Sequence, residues 1–174
     1  MNILTKLLTN FFGNKSEKDI KEIAPLVEKI KTEYNLLSGI SNDELRARSN
    51  ALQTKIAAHI VEESDEIADW KAKIDRDEIL LEDREKTYLR IDKLEKRIDE
   101  KIEEVLLEIL PEAFAIMRET ARRFTNNDEI VVIASEFDRN LAALGKDFVR
   151  IEGDKAIYRN RWVAGGNELK WDMV

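Results

Sequence analysis

The chain has 174 residues, 43% of them hydrophobic and 37% charged, with 36 acidic against 29 basic side chains and a net charge of −7. The acidic balance argues against general nucleic-acid binding, which needs a basic surface. The absence of cysteine excludes disulfides and thiolate metal sites. No apolar run approaches the roughly 20 residues of a membrane span, and the high charge content points to long solvated helical faces.

The first element is a short amphipathic helix over about residues 2–12. Ile3, Leu4, Leu7, Leu8, Phe11 and Phe12 form its apolar stripe, and Gly13-Asn14 is expected to end it. Residues 1–13 do not read as a signal peptide: they hold a single Lys6, polar Thr9 and Asn10 inside, and no small-residue cleavage site. A second helix is predicted from Glu17 to Leu37, with Ile20, Ile23, Leu26, Val27, Ile30 and Tyr34 on one face and Pro25 as a kink or break. Gly39 marks a turn. Ser41 with Glu44 three residues on is a capping box, so a third helix starts there.

From Ser41 to Leu110 neither glycine nor proline interrupts the chain. Ile67, Ile74, Leu81 and Tyr88 are spaced by seven, as are Ile91, Ile98 and Val105, with Leu94 and Ile102 between them. Such spacing with dense Glu, Lys and Arg elsewhere is a coiled-coil-like seam. A helical hairpin over residues 61–109, bending near Asp75–Asp83 where the periodicity slips, accounts for the length better than one helix. Trp70 falls on this seam and is placed to bridge the two helices. Pro111 suits a first helical turn, and Phe114, Met117, Ala121 and Phe124 then follow as one apolar stripe expected to face a core. Arg118, Arg122 and Arg123 complement the end of that helix dipole.

After Asn126-Asn127 the character changes. Glu129–Ala134 is β-branched and reads as a strand, and residues 137–144 as a short helix. Phe148–Ile151 and Ala156–Tyr158 flank a Gly153-Asp154 turn, and Arg161–Ala164 and Glu168–Met173 flank Gly165-Gly166-Asn167. Trp162 and Trp171 are expected to pack the core of this sheet. The fold class is therefore α+β and mainly α: N-terminal helices, a long coiled-coil-like hairpin and a small C-terminal antiparallel β meander. The divisions are 1–13, 14–60, 61–109, 110–126 and 127–174.

Chemistry-bearing motifs are sparse. His59 is the single histidine, and with Glu62 and Glu63 beside it on a charged helix it does not make a metal site. The carboxylates at helical spacing read as solvated ion pairs. A phosphate loop needs a Gly-rich turn with a following Lys and Ser/Thr. Here only Gly145-Lys146 pairs Gly with Lys, the next residue is Asp147, and the first-glycine position holds Asn140. No catalytic residue and no cofactor are assigned within these residues.

Pro111-Glu112-Ala113-Phe114-Ala115-Ile116-Met117-Arg118-Glu119-Thr120 resembles the SecA family of bacterial protein-export motor ATPases, where a Pro-Glu-Ala-Phe-Ala segment and a basic end precede the nucleotide-binding core. Ile40-Ser41-Asn42-Asp43-Glu44-Leu45-Arg46-Ala47 is similar to another family segment in the same order, and residues 1–13 with their closing Phe-Phe-Gly look like the family's opening helix. The resemblance covers about residues 1–60 and 103–124 and touches Trp171-Asp172-Met173-Val174. The hairpin and the small sheet look like insertions found in a subset of the family.

The resemblance implies an N-terminal fragment whose adenine-reading Asp-Val-Gln stretch would begin after Val174. Met173 would then lie at the edge of the adenine pocket. ATP and Mg would belong to the intact protein rather than to this fragment. Its partners would be the export channel and secretory preproteins, with residues 3–12 (Ile3, Leu4, Leu7, Leu8, Phe11, Phe12) contacting the channel or an anionic membrane surface. A homodimer is compatible with the arm. The expected location is cytoplasmic, peripheral at the inner face of the cell membrane. The rival is a stand-alone coiled-coil interaction module without enzymatic activity.

Overall fold

The computed structural model describes the backbone of residues 3–171 and side chains from Lys18 onward. Four helices come in the order α1 (Ile3–Leu36), α2 (Asn42–Asp75), α3 (Leu81–Asn126) and α4 (Glu136–Ala143), the last lying between β1 (Glu129–Ile133) and β2 (Val149–Glu152). Then follow β3 (Lys155–Arg159), β4 (Arg161–Ala164) and β5 (Asn167–Lys170). The chain is mainly helical with antiparallel strands at its C-terminal end, as the sequence predicts.

Three helix boundaries differ from the sequence expectation. α1 runs through Gly13-Asn14 and through Pro25 without a break. A helix-interior glycine costs only about 1 kcal/mol relative to alanine, so it weakens a helix without having to stop it. Pro111 lies inside α3 rather than at its start. Its ring leaves the Leu107 carbonyl without the usual N–H donor, and the helix continues on both sides. The side chains of Ile3, Leu4, Leu7, Leu8, Phe11 and Phe12, and the whole of Met173, lie outside the described residues.

The described chain divides into two compact units, one made of residues 1–45 and 111–174 and the other of residues 46–110. In the second unit α2 and α3 run antiparallel, and the chain reverses between Asp75 and Leu81, inside the predicted bend. The buried seam is contributed by Ile67 from α2 and by Ile91, Val105 and Ile109 from α3. Half-buried Ile56, Ile60 and Ile74, together with Leu94, Ile98 and Ile102, extend it. Leu81 and Tyr88, expected on the seam, are 83% and 52% exposed. A heptad phase holds only along one continuous helix, and the turn at 76–80 resets it: the seam of α3 is entered at Thr87 and Ile91 instead.

Ion pairs lace the two helices. Lys55 meets Glu108 at 2.6 Å, Lys71 meets Glu95 at 3.1 Å and Arg90 donates to Glu66 at 2.9 Å. Trp70 donates to Glu66 at 3.2 Å and carries the Arg90 guanidinium 4.8 Å above its ring, so it does link the two helices. One seam position is not apolar. Glu63, 4% exposed, takes a hydrogen bond from Lys101 at 2.7 Å and pairs with Arg97 at 3.1 Å. The Lys101 hydrogen bond holds its carboxyl below the ordinary carboxylate range.

In the first unit the capping box forms as predicted. The Ser41 N–H donates to the Glu44 carboxylate at 2.6 Å, and the Glu44 N–H donates to the Ser41 hydroxyl at 3.1 Å. β3 is the central strand of a three-stranded antiparallel sheet ordered β1-β3-β2, with Val132 opposite Ala156 and Ile151 opposite Ala156 on the other side. Ile130, Val132 and Ala156 are its buried centre, backed by Phe124, Ile151 and Tyr158. The order is not a sequential meander: β3, rather than β2, lies beside β1, and α4 falls in the connection between β1 and β2. β4 and β5 form a separate ribbon whose two-residue turn places Gly165 and Gly166 at φ of 58° and 79°. Two successive left-handed residues are what a tight hairpin turn needs, and only glycine adopts them freely.

Candidate functional site

The C-terminal part of α3 shows two faces. Ala115, Ile116 and Glu119 are buried, whereas Phe114 and Met117 of the predicted stripe are 54% and 67% exposed. The stripe therefore does not close over a core along its length. Met117, Ala121 and Phe124 instead form one wall of an open apolar cleft of about 440 Å³. Phe148, Tyr158, Trp162 and Trp171 supply the other walls. Both tryptophans, expected as sheet core, line this cleft: Trp171 is 43% exposed and its ring centre lies 6.4 Å from that of Phe124.

Asn160 organises the cleft. It sits between β3 and β4 and is 1% exposed. Its N–H donates to the Asp128 carbonyl at 3.1 Å, its carbonyl accepts the Trp171 N–H at 2.7 Å, and its side-chain amide donates to the Phe124 carbonyl at 3.0 Å. One residue thus ties the end of α3 through its side chain, and the approach to β1 and the segment after β5 that carries Trp171 through its backbone. Its Oδ1 is buried without a hydrogen-bond partner. On the other side the Tyr158 hydroxyl donates to the Asp138 carboxylate, whose α4 start is closed by a capping box with Ser135. This polar support fixes the Tyr158 ring as a wall. Nothing in the sequence pattern singled out Asn160; its role arises from three elements that are distant along the chain.

A second constellation holds the entry to α2. Arg123 donates to Asn42 Oδ1 at 2.7 Å, to the Ile40 carbonyl at 2.8 Å and to Glu119 at 2.8 Å. Arg122 donates to both oxygens of Glu119, at 2.8 and 2.7 Å. The two guanidinium groups, Arg122 foremost, with a further hydrogen bond from Tyr34, hold the Glu119 carboxyl down to about 2 against the cost of burial. The Tyr34 ring in turn lies 4.6 Å under the Arg118 guanidinium. The basic residues read from the sequence as dipole partners are thus mainly the clamps of one buried carboxylate.

The residues in neither constellation form a metal centre: among the described residues no group of three or more His, Asp or Glu side chains is placed to hold an ion. His59 faces Glu104 at 3.9 Å. No described helix is long and apolar enough to cross a membrane. Met173, the residue assigned to an adenine pocket, is outside the described residues, two positions beyond the Trp171 wall of the cleft.

The architecture defines a helical lead-in whose last long helix delivers an aromatic wall, Phe124, to a small antiparallel sheet. The SecA DEAD-like domain family matches residues 8–138, three quarters of the chain, and the chain belongs to that family. Its relatives include proteins named protein translocase subunit SecA. That of Phocaeicola vulgatus is 52% identical over 169 residues, covering 97% of this chain and 15% of the relative. That of Parabacteroides distasonis is 50% identical over the same coverage, and that of Flavobacterium psychrophilum is 41% identical over 174 residues. The chain spans about 15% of the length of these relatives. The matched stretches include the hairpin and the small sheet, so both belong to these relatives too. No solved structure matches the chain.

Proposed function

We propose that this chain is the N-terminal part of an ATP-driven protein translocase motor that pushes secretory preproteins through a membrane channel. The observation that carries the proposal is its near-complete coverage by translocase subunits about half identical to it. ATP and Mg act in the longer protein, where a phosphate loop absent from these 174 residues would hold them. Met173 stands at the edge of the adenine pocket. Residues 1–13 serve as the channel- or membrane-proximal helix, 14–60 as scaffold, 61–109 as an accessory arm, and 110–174 as the passage into the nucleotide-binding core. The location is the cytoplasmic face of the cell membrane, and the partners are the export channel, preproteins and a second copy of the motor.

The test is the reading frame that contains this chain. A downstream Asp-Val-Gln followed by Gly-Lys-Thr, and ATP hydrolysis by the encoded protein that rises with an unfolded preprotein, support the motor. A frame closing without a phosphate loop, or a full protein that hydrolyses no ATP, rejects it in favour of a binding module. The 174-residue chain alone is expected to show no ATP affinity in the micromolar range by calorimetry.

A further inference from the structure

The turn between α2 and α3 breaks several local rules at once. α2 ends in a Schellman arrangement: the Glu78 N–H donates to the Lys73 carbonyl at 3.0 Å and the Asp77 N–H to the Ile74 carbonyl at 3.1 Å. The residue that must turn left-handed is Asp77, at φ 56°, where glycine is usual. It is the sole non-glycine with positive φ among the described residues. α3 then starts with Leu80 at its cap position, where Ser, Thr, Asp or Asn would satisfy the free N–H groups and leucine does not. Leu80 is 67% exposed and its neighbour Leu81 83% exposed. Violations gathered at one spot, with no packing gain in return, mark a functional surface rather than a folding device.

Leu80 does not stand alone. It lines a groove of about 550 Å³ together with Trp70, Ile79 and Thr87 and the paired charges of Glu78, Asp83, Lys86 and Arg90. The Lys73 ammonium lies 4.7 Å and the Arg90 guanidinium 4.8 Å from the centre of the Trp70 ring. The surrounding charge is uneven. Every base of the turn is already paired: Arg76 with Glu78, Arg84 with Asp77, and Lys86 with Asp83. Asp75, Glu82 and Glu85 have no ion-pair partner among the described residues. Glu82 and Glu85 lie three apart on one face of α3, next to Leu81. Asp75 is held at the C-terminal end of α2, where the helix dipole disfavours an anion.

We propose that the turn of this hairpin is a docking surface for a cationic amphipathic segment of another protein. Its aliphatic side chains cover Leu80 and Leu81 and reach the Trp70 groove, and its Lys or Arg side chains pair with Glu82, Glu85 and Asp75. Apolar contact supplies the affinity and the uncompensated carboxylates choose the partner's sign. The same negative charge disfavours an anionic lipid surface or a nucleic acid. A second copy of this chain brings the same three free carboxylates and is repelled.

The test is amide NMR of the 174-residue chain titrated with a short Leu/Lys amphipathic helical peptide, with its Leu/Glu counterpart as control. Saturable shifts confined to about residues 66–90 are expected, with the Glu peptide about tenfold weaker or more. L80S/L81S should weaken binding about tenfold and E82Q/E85Q at least about threefold, while Leu107→Ser, 71% exposed elsewhere on the same unit, stays within about twofold. The glutamine variant alters only charge at exposed positions, so it decides the matter if the serine variant folds poorly. Shifts spread over the whole chain, tip variants that bind like wild type, or equal binding of both peptides overturn the proposal. Concentration-dependent shifts of the same amides without peptide overturn it in favour of self-association. Co-sedimentation of the chain with anionic vesicles that L80S/L81S abolishes does so in favour of a membrane.

Discussion

Lys101 donates a 2.7 Å hydrogen bond to Glu63 within the otherwise aliphatic seam of α2 and α3. Glu63 stands at the place an isoleucine would take between Ile60 and Ile67, so the pair works in one register only: sliding either helix by a turn strands a carboxylate among aliphatic side chains. Either Glu63→Leu or Lys101→Leu alone should lower the thermal midpoint: the first strands the Lys101 ammonium, and the second leaves the buried Glu63 carboxylate with the mostly exposed Arg97 alone. The double substitution should restore or raise the midpoint while broadening the amide spectrum of residues 46–110 through register exchange. A single substitution that leaves the midpoint unchanged would show that the pair is ornamental.

Glu119 sets the acid limb of stability. Its carboxyl is lowered from the ordinary 4.5 to about 2, chiefly by Arg122 and then Arg123. A group depressed in the folded state stabilises it fully above its unfolded value, and that stabilisation is lost as pH falls through the folded one. The contribution is about 2–3 kcal/mol, allowing for the half-exposed Arg122. It should disappear between about pH 4.5 and 2. Urea unfolding across this range should show a shallower pH slope in Glu119→Gln than in wild type, and equal slopes would contradict the assignment.

The first turn of α2 guards an edge of the sheet. Asp43 accepts the Ile133 N–H at 2.8 Å and Asn42 donates to the Val131 carbonyl at 3.0 Å, so side chains occupy the side of β1 that faces away from β3. An uncovered edge invites pairing with another chain. Asp43→Ala should cost about 1–2 kcal/mol, speed hydrogen exchange at Ile133 and raise thioflavin-positive aggregation on heating. Unchanged exchange at Ile133 would remove the edge-guard role.

Asn160 should tolerate no apolar replacement. Asn160→Leu removes the donor to the Phe124 carbonyl and forces a branched chain into a site that is 1% exposed. A loss of about 2–3 kcal/mol is expected, together with a shift in Trp171 fluorescence as the strand loosens from Phe124. A red-shifted emission maximum checks the second effect; wild-type emission in a destabilised variant would mean that the cleft is held by other contacts.

The proposed membrane contact of residues 1–13 is motivated by the stripe ending in Phe11 and Phe12 and by a single Lys6 within that stretch. Insertion of large apolar side chains contributes about 1.5–3 kcal/mol each, against about 1 kcal/mol per lysine near an anionic surface. Phe11→Ser/Phe12→Ser should therefore reduce co-sedimentation with anionic vesicles more than raised salt does. Equal partitioning of the two proteins, or none by either, would assign the stripe to protein packing.

Much of the fold could be read before any coordinates. The Ser41/Glu44 box, the hairpin bend near Asp75–Asp83, the strand after Asn127 and the Gly165-Gly166 turn are local devices, each satisfied by residues within a few positions of one another. The family resemblance likewise lived in contiguous words of sequence. What the sequence could not decide was where a pattern stops and which face is covered. Glycine at 13 and proline at 111 are unfavourable within a helix, and nearby residues alone do not show whether the helix continues through them. A heptad count runs on past a turn that resets it, and so assigns Leu81 and Tyr88 to a seam they do not join.

The tertiary structure alone brought together Phe124, Asn160 and Trp171, and placed Glu63 against Lys101 and Arg123 against Asn42. These residues are brought together across separate elements, and the charged ones among them are residue types common on any charged helix. Side-chain type and spacing determined the elements, because backbone hydrogen bonding and capping are short-ranged. Which carboxylate is buried, which aromatic is left open and which leucine is exposed depended on long-range packing, because burial is a property of the surface a residue meets.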